Sequence, residues 1–239
     1  MKNADNMYDG TLRSASNKAG GDGWLLHSYN ESGKNICGSF MGKVMEKAIK
    51  MGESNACMRR IVAAPTAGSC GVLPAVLLSY EEDFDVAEDD MVKAMYVAAG
   101  IGKVIAENAF IAGAAGGCQA EIGSASAMAA GALAFLQGGD SSAIINAATL
   151  SLKNFLGLVC DPVAGLVEVP CIKRNSYGAV NAVTSAQLSL AGIKSAIAPD
   201  DVVDSMRRIG NQLPASLKET SCGGLAITES AQNYLNQSF

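Results

Sequence analysis

Cys118-Gln119-Ala120-Glu121-Ile122-Gly123-Ser124-Ala125-Ser126-Ala127-Met128-Ala129-Ala130-Gly131-Ala132-Leu133-Ala134-Phe135-Leu136 is a long run with a single charge and almost no bulk. A stretch made of Ala, Gly and Ser suits a helix at the centre of a bundle, where backbones approach closely and few side chains need room. Gly138-Gly139 stops it. The small-residue stretch reaches back to Ala109, but it lacks the Leu, Ile and Val weight of a membrane span. Residues 109–136 therefore read as buried core helix.

Other helices follow outward from this centre. Phe40, Met41, Val44, Met45, Ala48 and Ile49 recur at helical spacing, and Gly52 marks the expected end. Val72 to Tyr80 is apolar, and Pro74 is tolerable there in the first turn of a helix beginning near Cys70. Glu88-Asp89-Asp90 suit the positive end of a helix dipole and precede Met91, Ala94, Met95, Ala98 and Ile105. Asp140 or Ser141 caps a helix carrying Ile144, Ile145, Ala148, Leu152 and Phe155, with Gly157 at its end. Asp161 to Arg174 contains Pro162, Gly165 and Pro170 and reads as a folded loop. Helices return over Ser176 to Ala191 and, after Pro199-Asp200-Asp201, over Val202 to Leu213. No strand alternation and no repeat is present, so the class is all-α. The expected organisation is a polar segment, 1–23, followed by one helical domain, 24–239.

Composition narrows the function. The chain has 239 residues, 49% of them hydrophobic, enough for a sizeable core. A net charge of -5 leaves no basic footprint for nucleic acid or an anionic membrane surface. The polar first residues carry no apolar secretory signal, so a cytoplasmic location is expected. There the seven cysteines serve as thiols or metal ligands rather than disulfides.

Three of those cysteines sit where glycine or proline interrupts helix. They are Cys118 in Gly116-Gly117-Cys118-Gln119, Cys160 in Val159-Cys160-Asp161-Pro162, and Cys171 in Val169-Pro170-Cys171-Ile172. The spacing, C-x41-C-x10-C, is far wider than a zinc ribbon or a ferredoxin run, so any cluster must be assembled by the tertiary fold. Two readings fit the residues alone. Free cysteines are small buried hydrophobes, or the three thiolates hold a metal centre. Three is a useful number, because a cubane cluster bound by three cysteines leaves one iron free to act as a Lewis acid.

Longer motifs carry more. Ala63-Ala64-Pro65-Thr66-Ala67-Gly68-Ser69-Cys70-Gly71, Gly116-Gly117-Cys118-Gln119-Ala120-Glu121-Ile122-Gly123 and the run from Leu156 to Cys171 closely resemble the alpha subunit or alpha domain of iron-sulfur-dependent L-serine dehydratases. Lys173-Arg174-Asn175, Leu217-Lys218-Glu219-Thr220 and Gly223-Gly224-Leu225-Ala226 extend the likeness over most of the chain. The resemblance implies an all-helical fold and a [4Fe-4S] cluster on Cys118, Cys160 and Cys171. It also implies loss of water from L-serine, with the hydroxyl on the open iron, to give pyruvate and ammonia without pyridoxal phosphate.

The remaining site residues follow from that chemistry. Thr66, Gly68 and Ser69 form a turn before a helix start, and it either holds the substrate carboxylate or is simply a capped turn. His27, the lone histidine, stands beside apolar residues and is either structural or a base. Lys218 is the candidate base within this chain and would need burial to lower its pKa. Family members carry histidines on a beta domain or subunit, so the resemblance implies a separate beta partner that completes the site. Cys37, Cys57, Cys70 and Cys222 read as core thiols. Single-chain members tend to end in a cysteine-bearing tail that occupies the site, whereas this chain ends Asn236-Gln237-Ser238-Phe239. The alpha portion usually has more helix before 14–22; either the chain begins late or a partner supplies those turns. Rival readings are a cluster-dependent lyase acting on cysteine or threonine, and a non-catalytic helical paralogue serving as a scaffold.

Overall fold

A computed structural model describes residues 1–236, so the ending at 237–239 lies outside the described residues. The helices are α1 (Lys2–Asp5), α2 (Asp22–Glu31), α3 (Gly38–Ala56), α4 (Val72–Asp83), α5 (Glu88–Asn108), α6 (Gly113–Gly116), α7 (Ser124–Leu136), α8 (Ser141–Lys153), α9 (Cys171–Leu190), α10 (Pro199–Gln212) and α11 (Glu229–Asn236). Among the described residues the only β pairing is a single parallel bridge between Cys160 and Lys218. No helix among them is long and apolar enough to cross a membrane. The all-α reading holds.

α7 is the axis. Ser124 through Ala134 are all buried, and α4, α5, α8 and α9 pack around them. Small residues set the distance of approach: a Cβ at Gly131 would stand 2.2 Å from Cδ1 of Ile101, and one at Gly102 would stand 2.8 Å from Sδ of Met128. Each glycine thus receives a side chain from the opposite helix, which locks α5 onto α7. A buried polar knot fixes the other side. Ser126 Oγ donates to the Gly178 carbonyl at 2.7 Å, Ser151 Oγ donates to Ser126 Oγ at 2.8 Å, and Asn181 Nδ2 donates to Ser126 Oγ at 2.9 Å. These bonds satisfy groups that would be costly to bury alone and tie α7, α8 and α9 in one register.

Local signals place most boundaries. Asp140 Oδ1 accepts the Ala143 N–H at 2.8 Å and caps α8. The acids Glu88, Asp89 and Asp90 open α5, and Pro199 opens α10. Three expectations need correction. Gly52 does not end α3 but lies inside it, where a Cβ would meet Cα of Ile172 at 3.3 Å, so the missing side chain admits α9. The loop after Cys160 ends at Pro170, not Arg174, because Cys171 is the first residue of α9. Residues 109–136 are not one helix: Gly117, at φ +79, breaks α6 from a wider π turn over Gln119–Gly123 that leads into α7.

Residues 1–23 lie against the helical body, with Ala4, Leu12, Ser14, Ser16 and Ala19 buried. Ser16 Oγ donates to both oxygens of Glu168, at 2.9 and 2.7 Å, and so touches the loop that leads to Cys171.

Leu133 is fully buried at the centre of this core, whereas Ile145 is 49% exposed. Leu133→Ala should lower the unfolding free energy by about 2–5 kcal/mol, read as a shifted urea midpoint, while Ile145→Ala should move it by less than about 0.5 kcal/mol.

Candidate metal centre

Cys118, Cys160 and Cys171 are buried and come from three separate segments. Cys118 immediately precedes the π turn, Cys160 sits in the loop after α8, and Cys171 opens α9. Glue residues beside each cysteine hold the segments together. Gln119 is wholly buried with its amide satisfied: Nε2 donates to the carbonyls of Gly116 at 2.9 Å and Met206 at 3.1 Å, and Oε1 accepts the Gly157 N–H at 3.0 Å. Gly117 must be glycine, because a Cβ would stand 2.8 Å from the Leu158 carbonyl oxygen and φ is +79. Cys118 and the Cys160 loop are therefore brought side by side by backbone contact.

Arg174 joins all three segments. Its Nη1 lies 3.3 Å from Cys118 Sγ and 2.9 Å from the Val159 carbonyl, and Nη2 donates to Asp161 Oδ1 at 2.9 Å. Arg174 itself is one turn into the helix that Cys171 begins. Asp161 is completed by the Leu225 N–H, which donates to Oδ2 at 2.8 Å. On the other side of Cys171, Asn175 Nδ2 donates to the carbonyls of Gly68 at 2.8 Å and Cys171 at 3.0 Å, while its Oδ1 accepts the Gly71 N–H at 2.8 Å. The Thr66–Ser69 turn is thereby fixed to the start of α9.

The ligand atoms of Cys118, Cys160 and Glu121 all lie within 4.8 Å of one another. Cys171 is not in that closest group, although it lies near enough for Cys118 and Glu121 to raise its pKa. Space beside the sulfurs depends on glycine: a Cβ at Gly113 would stand 2.8 Å from Cys160 Sγ. The thiols share charge unequally. A hydrogen bond from Cys160 and the adjacent Arg174 guanidinium hold Cys118 below the ordinary thiol range, against the effect of burial. Cys160 is pushed correspondingly up by that same bond and by burial. Burial pushes Cys171 up to about 12. Burial also raises Glu121 above the usual carboxylate range, against the hydrogen bond from Thr66.

The other candidates fall in different places. Thr66 Oγ1 donates to Glu121 Oε1 and lies 3.0 Å from Ser69 Oγ, so the turn faces the cysteines through Glu121. Lys218 pairs by its backbone with Cys160: the Cys160 N–H donates to the Leu217 carbonyl at 2.9 Å, and the Glu219 N–H donates to the Cys160 carbonyl at 2.8 Å. Glu219 and Ser221 take left-handed backbone, at φ +63 and +56, uncommon for residues with a Cβ. His27 is elsewhere, on α2, with Nδ1 2.9 Å from Glu46 Oε1. Of the four remaining cysteines only Cys70 is a core thiol; Cys37 and Cys222 are exposed and Cys57 is half-buried, which corrects the expectation for those three. Nothing local in the sequence marks Glu121, Gln119, Asp161 or Asn175 as a site residue. Two clefts of ≈ 590 and ≈ 540 Å³ open around α8 and α10, lined by residues such as Asn146, Lys194, Ile101 and Leu152, away from the cysteines.

Comparison with known proteins shows the family. A sequence model of the family described as serine dehydratase alpha chain matches residues 1–226. The probable L-serine dehydratase, alpha chain, of Bacillus subtilis (strain 168) is 49% identical over 209 residues, which cover 87% of this chain and 70% of that protein. The L-serine dehydratase, alpha chain, of Peptoniphilus asaccharolyticus is 47% identical over 206 residues, 86% of this chain and 70% of that protein. L-serine dehydratase 1 of Escherichia coli (strain K12) is 42% identical over 182 residues, 75% of this chain but only 40% of that protein.

If Arg174 draws the Cys118 proton off, removing the guanidinium must raise the pH at which that thiolate appears. In metal-free Arg174→Met the ultraviolet thiolate absorption should rise only at higher pH than in the parent protein, with Arg174→Lys between the two; an unchanged titration would contradict the assignment.

Proposed function

Because the chain belongs to the serine dehydratase alpha chain family, we propose that it is the alpha subunit of an L-serine ammonia-lyase, converting L-serine to pyruvate and ammonia. The observation that supports this reading is that three buried cysteines lie on segments tied through Arg174, with the sulfurs of Cys118 and Cys160 within 4.8 Å of each other.

The donor set suits an iron-sulfur centre. Thiolates are soft ligands, the guanidinium offsets part of their charge, and Gly113 leaves room beside Cys160. Cys118, Cys160 and Cys171 would hold a [4Fe-4S] cluster, and its fourth iron supplies a Lewis acid that eases departure of the β-hydroxyl. Hydroxide is otherwise a poor leaving group, and this is the chemistry that makes pyridoxal phosphate unnecessary.

The chain's own residues then bind and orient. The Thr66-Ala67-Gly68-Ser69 turn borders the amino acid, with the Thr66 hydroxyl held by Glu121 and the Ser69 hydroxyl buried behind it, and Asn175 keeps that turn in register with Cys171. Loss of the α-proton and of water gives aminoacrylate, which tautomerises and hydrolyses to pyruvate and ammonia. His27 stands on α2 with Nδ1 against Glu46, outside the group of side chains tied to the cysteines. Lys218 is the candidate base within this chain, beside Cys160 in the fold. We assign the base instead to a beta chain. Relatives named alpha chain imply a second chain, and the longer Escherichia coli relative is matched over only 40% of its length. Such a partner would cover the cysteine face and complete the pocket. A reducing, cytoplasmic setting keeps the thiols free to bind iron.

Reconstitution with iron and sulfide under anaerobic conditions should give brown protein whose visible absorption is lost in air and changes when L-serine is added. Serine substitution of Cys118, Cys160 or Cys171 should each abolish the colour. Pyruvate should form only when a beta-type chain is supplied, and full activity from this chain alone would refute the assignment of the base. A colourless reconstituted protein would refute the lyase reading as a whole.

A further inference from the structure

Glu121 is the one carboxylate among the side chains grouped with Cys118 and Cys160. Its carboxylate shares a 4.8 Å neighbourhood with Cys118 Sγ and Cys160 Sγ. The widened turn over Gln119–Gly123 carries it, three residues beyond Cys118. Thr66 Oγ1 donates to Oε1, and the Ser69 hydroxyl is 3.0 Å from Thr66 Oγ1, so two hydroxyls of the substrate turn lead to this one carboxylate. Gly68 makes the contact possible: a Cβ there would stand 2.7 Å from both carboxylate oxygens.

What Glu121 lacks is a cation. The guanidinium at the site, Arg174, is committed to Cys118, Val159 and Asp161. Among the described residues no lysine, arginine or histidine forms an ion pair with Glu121, and Thr66 is its only hydrogen-bond donor. A half-buried carboxylate left in this state attracts a positive partner. Glu121 is half-buried, so a small solute can reach it.

A serine zwitterion brings such a partner. Its ammonium group is attached to the carbon next to the one that bears the reacting hydroxyl, so a site that holds that hydroxyl beside the cysteines must have an acceptor close by for the nitrogen. We propose that Glu121, oriented by Thr66, accepts the α-ammonium group of the substrate and thereby selects amino acids over the corresponding hydroxy acids. This rests on the dehydratase reading. The Thr66-x-Gly68-Ser69 turn then receives the amino end of the substrate through Glu121. Glu121 acts by binding and orientation, with Thr66 as a positioning residue.

The test uses the anaerobically reconstituted protein with its beta-type partner and two probes, L-serine and L-glycerate. Glycerate keeps the carboxylate and β-hydroxyl but carries a hydroxyl in place of the ammonium. Each is titrated by the change it causes in the visible absorption, recorded by rapid mixing before turnover, and iron content is measured in parallel. Glu121→Gln should keep its iron, lose about 30-fold or more in apparent affinity for L-serine, and change little toward L-glycerate, as expected when one partner of a desolvated charge pair is removed. Thr66→Val, which leaves the carboxylate in place but unoriented, should weaken L-serine about tenfold with the same selectivity. Equal losses for both probes, or no loss for either, would overturn the assignment. Loss of iron from Glu121→Gln would overturn it too, by making Glu121 a metal ligand. An absorption spectrum of the parent protein that ignores L-serine would instead remove the dehydratase reading on which the proposal rests.

Discussion

One guanidinium ties together the three segments that carry the cysteines. Arg174 reaches Cys118 by its sulfur, the Cys160 loop by the Val159 carbonyl and the Asp161 carboxylate, and Cys171 through the helix that both residues share. Thiolates held close together repel one another and resist burial, so a site of this kind needs a fixed positive charge that is itself paired and oriented. Asp161 supplies the orientation, and the Leu225 N–H holds Asp161 in turn. The chain from Leu217 to Leu225 is thereby drawn to the same point, with Cys160 paired to Lys218 at its start.

Such an arrangement needs a rigid support, and the small-residue helix α7 provides it. Glycines at 102 and 131 let α5 and α7 interlock, and the Ser126, Ser151 and Asn181 bonds hold α8 and α9 to the same axis. The two helices that lead into and out of the Cys160 loop are thus fixed before the loop begins. Loops placed on a packed helical frame can hold several ligands in mutual geometry without needing strength of their own.

Much of the fold was legible in the sequence, because helical periodicity, acids at Glu88–Asp90, the Asp140 cap and Pro199 are local signals that tertiary packing did not override. The errors share a cause. Gly52 looks like a helix end but serves as a packing notch for Ile172, and glycine in sequence does not distinguish these uses. Cys171 reads as loop in the sequence because Pro170 precedes it, yet proline suits the start of a helix, where its missing N–H leaves no bond unmade. At the site, the cysteines were visible through motif resemblance, whereas Glu121 and Gln119 looked like polar interruptions in an Ala/Gly run. Their roles depend on what the fold brings opposite them: Thr66 and Gly68 for Glu121, Gly157 and Met206 for Gln119. Exposure of Cys37 and Cys222 is equally a tertiary property that composition does not encode.

The site assembled here is one-sided. It brings buried thiols, an acidic group and a hydroxyl-bearing turn together, and its family relationship points to a second chain. The central claim is that Cys118, Cys160 and Cys171 jointly hold iron and leave one position open. Diffraction from anaerobically grown crystals, recorded on both sides of the iron absorption edge, tests it most directly. A single compact iron peak bonded to those three sulfurs, with no fourth ligand from this chain, is the expected result. Iron bound without one of the three sulfurs, or closed permanently by a fourth side chain, would contradict it.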